Sequence, residues 1–153
     1  MSRKVISILL NRIKEEDCYQ TILLYHSLPD EIDTHDLIPT LHALGKTVLL
    51  PTVVGDELEL HQYTDEIALS KSATIGIQES TGPLFTDNAQ IDLAIIPGMA
   101  FTPSGIRLGR GKGYYDRRLP KLQCPTIGIA FPFQIVDWIP YEEHDISVSH
   151  IIS

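Results

Sequence analysis

The chain has 153 residues, of which 43% are hydrophobic and 21% are charged. This length is typical of one domain with a single substantial core, and no stretch reaches the roughly 18 apolar residues that a membrane span needs. The formal net charge of −8 disfavours general nucleic-acid binding.

The first segment predicts an amphipathic helix over residues 3–16, because apolar side chains recur at helical spacing at Val5, Ile8, Leu9 and Ile13. Asn11 and Arg12 interrupt the apolar run, and no small-residue cleavage site follows, which disfavours a secretory signal. Cys18 and Cys124 lack metal-ligand spacing and favour a reducing compartment without a disulfide. We therefore expect a cytoplasmic protein.

The next segments alternate between apolar runs and a helix. Residues 21–25 form a continuous apolar run and predict a buried strand. Asp33 or Thr34 is expected to cap a helix that continues to Leu44 and ends at Gly45. A second buried strand over 47–50 is expected to stop at Pro51, and 57–63 alternates like a half-exposed strand.

The second half continues the pattern after a loop-rich stretch at 64–90. Buried strands are predicted at 91–96 and 126–131, a short helix at 113–119, and a last strand at 148–152. This alternation predicts a single three-layer α/β domain over residues 1–153, with a mainly parallel sheet. Ligands bind beyond the carboxyl ends of such strands. The loops 27–34, 97–113 and 132–137 should therefore share one rim and place Glu31 near the 97–113 loop.

Positive charge is concentrated in that loop and just after it. Between residues 98 and 121 the only acid is Asp116. Half of the twelve basic residues fall in the same stretch: Arg107, Arg110, Lys112, Arg117, Arg118 and Lys121. An acidic chain that collects its cations in one place is expected to hold an anion there.

The loop has the composition of a phosphate site. Gly109, Gly111 and Gly113 alternate with Arg110 and Lys112, so backbone N–H groups and cations can face the same oxyanion. The helix that follows presents its N-terminus to the same place, which also favours phosphate. The alternative is a basic, flexible surface loop.

Three side chains after the loop extend this prediction. A bare Asp116 carboxylate would repel phosphate, and a Mg²⁺ ion between them removes the conflict. Tyr114 and Tyr115 can supply a hydroxyl or a stacking face, or can pack against the sheet. The generic nucleotide motifs do not fit, because Gly113 follows Lys112 where a Walker A loop needs Ser or Thr. Tyr114 likewise stands where the dinucleotide fingerprint needs its third glycine.

The stretch from Pro97 to Asp116 resembles the signature of the 5-formyltetrahydrofolate cyclo-ligase family, also called 5,10-methenyltetrahydrofolate synthetases. The match includes Gly105-Ile106-Arg107-Leu108-Gly109 and Gly113-Tyr114-Tyr115-Asp116. The similarity extends from about Tyr19 to the end of the chain. Flanking matches are Asp30-Glu31-Ile32-Asp33-Thr34, Ile91-Asp92, Ile127-Gly128-Ile129-Ala130-Phe131, Gln134 and Glu143-His144-Asp145.

The resemblance implies an ATP-dependent cyclisation of 5-formyltetrahydrofolate, a reduced folate, to 5,10-methenyltetrahydrofolate, with release of ADP and phosphate. It implies ATP and Mg²⁺ as cofactors, and we expect a monomer or weak homodimer. Catalytic roles fall on Arg110, Lys112 and Tyr115. ATP contacts fall on Arg107, Leu108, Gly109, Arg110, Gly111, Lys112, Gly113, Tyr114 and Tyr115. Substrate contacts fall on His26, Glu31, Arg110, Gly111, Lys112, Gly113 and Tyr114, and metal contacts fall on Asp116 and Asp145.

Some alternatives stay open. Glu31 can be a solvated acid and Asp145 a turn or cap residue. Thr102 stands where the family usually has Asp, and the family's additional N-terminal helix, with a Lys/Arg pair that helps hold ATP, has no counterpart in this sequence. A truncated chain, a misassigned start and a weakened paralogue each explain that difference. The rival functions are a nucleotide- or folate-binding protein with little turnover and an unrelated phosphotransferase.

Overall fold

The computed structural model describes residues 2–16, 18–64, 82–109, 113–140 and 147–153. Its helices are α1 (Ser2–Glu15), α2 (Leu37–Ala43) and α3 (Tyr114–Arg118), with short 3₁₀ helices at Asn88–Gln90, Leu119–Lys121 and Pro132–Gln134. Its strands are β1 (Thr21–Leu23), β2 (Thr47–Val54), β3 (Glu57–Gln62), β4 (Leu84–Phe85), β5 (Leu93–Ile96), β6 (Ala100–Phe101), β7 (Arg107–Leu108), β8 (Thr126–Ile129) and β9 (His150–Ile152).

Across these described ranges, seven strands form one sheet in the order β4-β3-β2-β1-β5-β8-β9. Strands β2, β1, β5, β8 and β9 run parallel, and β3 and β4 add an antiparallel edge. In the centre, Ile22 lies beside Val48 on one side and Leu93 on the other. The predicted α/β fold with a mainly parallel sheet is confirmed.

Apolar side chains fill both faces of the sheet, which explains the continuous apolar runs of the central strands. Leu93 and Ile95 of β5 face the cluster that α1 and α2 cover with Leu9 and Leu41. The alternate residues of β5 face a second cluster, which includes Ala94, Ile96, Phe101 and Leu119. The second face is thus covered by β6 and the segment after α3, giving three layers.

Pro51 does not end β2, contrary to the sequence prediction. The strand continues to Val54, and Pro51 lies opposite Leu60 of β3. The Leu49 carbonyl points toward β1 and accepts a hydrogen bond from Leu24 N. Because Pro51 lies two residues further along the strand, its backbone nitrogen points toward the same side. Because β1 has ended at Leu23, the missing proline N–H breaks no ladder bond there.

The start of α2 also differs from the sequence prediction. The helix begins at Leu37 with Asp36 at its N-cap, rather than at Asp33 or Thr34. The Thr34 hydroxyl instead donates to Tyr25 O at 2.5 Å and accepts a bond from Ser27 N at 3.2 Å. Its hydrogen bonds therefore close the loop after β1. The helix ends near Gly45, as predicted, and φ is +84° at that glycine.

The second-face layer depends on a tight hairpin between β6 and β7. Thr102 is buried, and its hydroxyl accepts a hydrogen bond from Ile106 N at 3.1 Å. A threonine hydroxyl can close such a turn by the same kind of contact that an aspartate carboxylate makes. Phe101 packs over Gly128 of β8, where a Cβ would come within 2.5 Å of the ring. These contacts fix the hairpin that carries Arg107.

Candidate functional site

A cavity of about 300 Å³ lies at the carboxyl ends of β1, β2 and β5. One wall comes from the loop after β1, a second from the β2–β3 hairpin, and a third from the segments around β7 and α3. Its lining residues are Tyr25, His26, Leu28, Glu31, Pro51, Val53, Leu58, Pro97, Gly98, Arg107, Gly109, Gly113, Tyr114, Tyr115 and Asp116. The cavity lies where the parallel topology is expected to place a ligand site.

The structure brings together many of the residues that the sequence predicts for the site. His26, Glu31, Arg107, Gly109, Gly113, Tyr114, Tyr115 and Asp116 all line the cavity. Leu108 is not among the lining residues, because its side chain is exposed and its carbonyl accepts a bond from Met99 N. The predictions for Arg110, Gly111, Lys112 and Asp145 lie outside the described residues.

The loop between β1 and α2 holds Glu31 in a fixed position. Glu31 is only 8% exposed, and its Oε1 accepts a hydrogen bond from Leu28 N at 2.8 Å. Ser27 and Thr34 close the same loop through bonds between each backbone N–H and the other's hydroxyl. A buried carboxylate that lines a cavity suits a ligand with several N–H donors.

The two histidines near this loop differ in their contacts. The His26 ring lines the cavity, and its centroid lies 5.7 Å from that of His35. His35 Nε2 is 2.9 Å from Ser27 O, so this ring packs on the loop. His26 thus borders the cavity, and its predicted substrate contact stays a prediction.

Arg107 has a buried side chain and lines the same cavity as Glu31. Its side chain is 8% exposed, Nε donates to Pro97 O at 2.5 Å, and Nη1 lies 3.4 Å from Asp116 Oδ1. Burial lowers the pKa of the guanidinium, and nearby Asp116 opposes that shift. The group stays charged at neutral pH, because arginine starts from so high a pKa. Arg107 therefore braces the wall and brings positive charge to the cavity.

Gly109 and Gly113 serve different physical needs. Gly113 has φ +74° and forms the N-cap of α3, as the prediction of positive φ requires. Gly109 has no positive φ. A Cβ at Gly109 would instead lie 3.0 Å from Arg107 Nη1, so a larger residue would crowd the guanidinium. Close approach, rather than backbone conformation, explains this glycine.

Tyr115 has the packing role that the sequence leaves open, and it also lines the cavity, where its predicted ligand contact stays a prediction. It packs against the second core cluster, and the Arg107 guanidinium lies 5.2 Å from its ring centroid. Burial raises the pKa of the Tyr115 hydroxyl, and burial together with nearby Glu31 also raises that of Tyr25. Both hydroxyls stay protonated at neutral pH and can act as hydrogen-bond donors.

Asp116 has the properties that a magnesium ligand needs. Its side chain is 57% exposed at the cavity wall, and 3.4 Å separates it from Arg107 Nη1, so its oxygens can accept further partners. Mg²⁺ typically takes one or two carboxylates together with phosphate oxygens and water. In the ranges that the structure describes, no group of three or more His, Cys, Asp or Glu residues gathers as a preformed metal site. A single carboxylate fits a metal that arrives with a phosphate ligand.

Arg117 and Arg118 do not face the cavity. Arg117 Nη2 donates to Asp56 O, and Arg118 Nη2 donates to Leu58 O. Both arginines therefore hold α3 against the β2–β3 hairpin. Two of the clustered basic residues therefore bind backbone carbonyls of the hairpin, a role that the local composition does not predict.

The hairpin wall of the cavity is the main feature that sequence reasoning misses. Pro51, Val53 and Leu58 line the cavity, although the apolar and alternating patterns of 47–50 and 57–63 predict only strands. The available indication was that Pro51 directly follows the apolar run 47–50, since ligands bind near the carboxyl ends of parallel strands. The 132–137 loop, which the sequence places on the same rim, instead pairs with the β6–β7 hairpin, since Val136 N donates to Phe101 O at 2.8 Å. None of its residues lines the cavity.

Comparison with known proteins identifies relatives along nearly the whole chain. Residues 2–153 match the model of the 5-formyltetrahydrofolate cyclo-ligase family. The mouse 5-formyltetrahydrofolate cyclo-ligase is 30% identical over 162 residues, covering 95% of this chain and 80% of the relative. The Escherichia coli K12 protein of the same name is also 30% identical and covers 87% of this chain and 77% of its own length.

Solved structures agree with this match. A 5,10-methenyltetrahydrofolate synthetase from Mycoplasma pneumoniae superposes with a TM-score of 0.79 at 28% identity, covering 99% of this chain and 84% of that one. The synthetase from Aquifex aeolicus gives a TM-score of 0.76 at 30% identity, with coverages of 99% and 76%. Among the described residues, no helix is both long and apolar enough to cross a membrane.

Proposed function

Because the chain belongs to the 5-formyltetrahydrofolate cyclo-ligase family, we propose that it converts 5-formyltetrahydrofolate into 5,10-methenyltetrahydrofolate. In this proposal ATP is the phosphoryl donor, Mg²⁺ is the metal ion, and ADP and phosphate are released. The observation that carries the proposal is one cavity that is lined both by Glu31 and by Gly109 and Gly113, the two described ends of the glycine-rich loop 109–113.

The cavity lining supports a folate site on the side of Glu31. The Glu31 carboxylate accepts N–H bonds from the aminopyrimidine edge of the pterin, and its own bond from Leu28 N fixes its orientation. Pro51, Val53 and Leu58 offer apolar contact to the ring system from the hairpin side. Such a mixture of apolar walls and one fixed polar group is typical of small-molecule sites.

The ATP half is assigned to the glycine-rich loop. Arg107, Arg110 and Lys112 supply positive charge, and glycine N–H groups supply further donors to the phosphates. Arg110 and Lys112 enter this proposal from the sequence. Asp116 is assigned to Mg²⁺, with Asp145 as a second contact, and an ion held there would neutralise charge on the phosphate oxygens.

The reaction balances in two steps. The formyl oxygen takes the γ-phosphoryl group of ATP, and ADP leaves. N10 then attacks the activated formyl carbon and loses its proton, the carbon–oxygen bond breaks, and phosphate departs. A formamide oxygen is a poor leaving group and a phosphorylated one is a good leaving group, so the step needs positioning and charge neutralisation more than a protein nucleophile. The protonated Tyr115 hydroxyl can donate a hydrogen bond to the transferring group.

The direct test is product formation by the purified chain with 5-formyltetrahydrofolate, ATP and Mg²⁺. Methenyl product, measured by absorbance, should appear together with one ADP and one phosphate per turnover, and chelation of Mg²⁺ should stop it. Binding of both ligands without product would favour the binding paralogue instead. ATP use that is indifferent to folate would favour an unrelated phosphotransferase.

Lys112→Ala provides a sharper test of the loop. We expect product formation to fall by at least about a hundredfold, while the free energy of unfolding changes by no more than about 0.5 kcal/mol. Lys121→Ala is the matched control, because Lys121 is an exposed lysine near the loop that lies outside the cavity. Unfolding of the Lys112 variant, or equal losses in the two variants, would contradict the assignment.

A further inference from the structure

Two walls of the cavity come from parts of the chain that are far apart in sequence. Pro51, Val53 and Leu58 belong to the β2–β3 hairpin, whereas Tyr114, Tyr115 and Asp116 belong to α3. The separation of these walls sets the width available to a flat ligand. The contacts between the hairpin and α3 therefore bear directly on binding.

Arg118 connects three elements at this boundary. Its Nη2 donates to Leu58 O in β3, and its Nη1 donates to Asn88 Oδ1 at 2.9 Å. Leu58 itself lines the cavity, so the bond fixes the backbone of a lining residue. The guanidinium is half-buried, its pKa is lowered by burial, and nearby Glu57 opposes that shift.

Arg117 makes a second connection at the hairpin tip. Its Nη2 donates to Asp56 O, and its guanidinium lies 5.6 Å from the Tyr114 ring centroid. A Cβ at Gly113 would lie 2.7 Å from Arg117 Nη1, so the guanidinium passes closely over the last glycine of the loop. The same side chain thus touches the end of the glycine-rich loop and the tip of the hairpin.

We propose that Arg117 and Arg118 are positioning residues that tie the hairpin wall to the loop end and α3, and so hold the cavity at the width the folate needs. This inference rests on the proposed function for its substrate, but the tie itself is a property of the described contacts. Neither arginine lines the cavity, so the effect acts through Leu58, Gly113 and Tyr114.

Arg118→Met tests the proposal, because methionine keeps an apolar stem and removes both hydrogen bonds. We expect KM for 5-formyltetrahydrofolate to rise about tenfold with kcat within about twofold of the parent, since a displaced wall weakens ground-state and transition-state contacts alike. The KM of Arg118→Lys should lie between those of the parent and Arg118→Met, because one ammonium can reach Leu58 O but lacks the planar fork of the guanidinium. Arg12→Met, in an exposed arginine of α1, is the matched control and should leave KM unchanged.

Hydrogen exchange provides a readout that does not depend on the substrate. In Arg118→Met, amides of residues 53–58 should exchange faster than in the parent, while those of α1 should not change. An unchanged KM, a loss in kcat alone, or a KM rise shared by Arg12→Met would overturn the proposal. If Arg118→Met does not fold, Asn88→Ala tests the same tie, because it removes the hydrogen bond that Arg118 Nη1 donates to Asn88. We then expect KM to rise about threefold from the loss of one hydrogen bond. An unchanged KM in Asn88→Ala would overturn the proposal.

The two proposals can fail separately. If the parent chain neither binds nor converts 5-formyltetrahydrofolate, the proposed function fails, while hairpin exchange in Arg118→Met still tests the tie. Unchanged exchange at 53–58 would overturn the tie even in an active enzyme.

Discussion

Glu31 combines burial, a fixed orientation and a place on the cavity wall, which together make its charge testable. Glu31→Gln keeps the acceptor for Leu28 N and removes the negative charge. We expect KM for 5-formyltetrahydrofolate to rise about tenfold, because a hydrogen bond to a charged acceptor contributes roughly 1.5–3 kcal/mol, whereas a bond to a neutral acceptor contributes about 1 kcal/mol. Steady-state kinetics with varied folate measures this.

The control for Glu31 is its neighbour Asp30. Asp30→Asn removes the same charge from an exposed side chain that does not line the cavity, so KM should stay within about twofold. A similar rise in both variants would show that net charge near the loop, rather than a specific contact, is responsible. Both variants should keep the parent's unfolding temperature if the loop bonds survive.

The two cysteines should differ strongly in reactivity. Cys18 is exposed, whereas Cys124 is half-buried, and burial raises the pKa of its thiol to about 11. At pH 8 only about one Cys124 thiol in a thousand is then the reactive thiolate. Alkylation followed by mass spectrometry should modify Cys18 first, and the Cys124 rate should rise with pH up to about 11.

Denaturation is the control for this prediction. In urea the two thiols should react at similar rates, because burial is lost and both approach ordinary thiol behaviour. Faster labelling of Cys124 than of Cys18 in the folded chain would contradict the burial argument.

Among the elements, the β6–β7 hairpin depends on one close approach. Gly128→Ala places a methyl group about 2.5 Å from the Phe101 ring, a distance that packing does not tolerate. We expect the free energy of unfolding to fall by about 1–3 kcal/mol, as overpacked cores usually lose. Chemical denaturation of the purified variant measures this loss.

A double-mutant cycle isolates the cause. Phe101→Leu removes the ring atoms that the new methyl group meets, so Gly128→Ala should cost less in that background than in the parent. Strict additivity of the two losses would show that the Phe101 ring is not what opposes the methyl group.

The elements show which parts of the fold the sequence could predict. Continuous apolar runs predicted the central strands because both sheet faces are buried, and parallel order then placed Glu31 near the glycine-rich loop. Pro51 was wrongly predicted to end β2, because its place beyond the end of the neighbouring strand β1 depends on the tertiary structure and not on the local sequence. The contact of Arg117 with Asp56 joins residues 61 positions apart, and no local pattern shows it.

For the molecule as a whole, the sheet topology brings the wall proposed for folate and the described ends of the glycine-rich loop, Gly109 and Gly113, around the same cavity. The loop after β1, the β2–β3 hairpin and the segments around Arg107 and α3 each supply lining residues. A cytoplasmic location and a monomeric or weakly dimeric state stay predictions of the sequence. The arrangement makes a thermodynamic prediction about how the two ligands bind together.

The two ligands should stabilise the chain additively. A ligand at a hundred times its Kd adds about 2.7 kcal/mol to the free energy of unfolding, or about 5–11 °C in Tm for a chain of this size. We expect 5-formyltetrahydrofolate and a non-hydrolysable ATP analogue with Mg²⁺ each to raise Tm, and the pair to raise it by about the sum. Thermal unfolding with each ligand and with both measures this.

The variants separate the two contributions. At the same folate concentration, Glu31→Gln should cut the folate shift to about half, as a tenfold weaker site predicts, and keep the nucleotide shift, because Glu31 lies on the wall assigned to the pterin. Lys112→Ala should do the reverse, because the sequence assigns that lysine to the phosphates. A shift with both ligands no larger than the greater single shift would mean that they compete for one position. In-line phosphoryl transfer requires both ligands to be bound at once, so competition would contradict the proposed reaction.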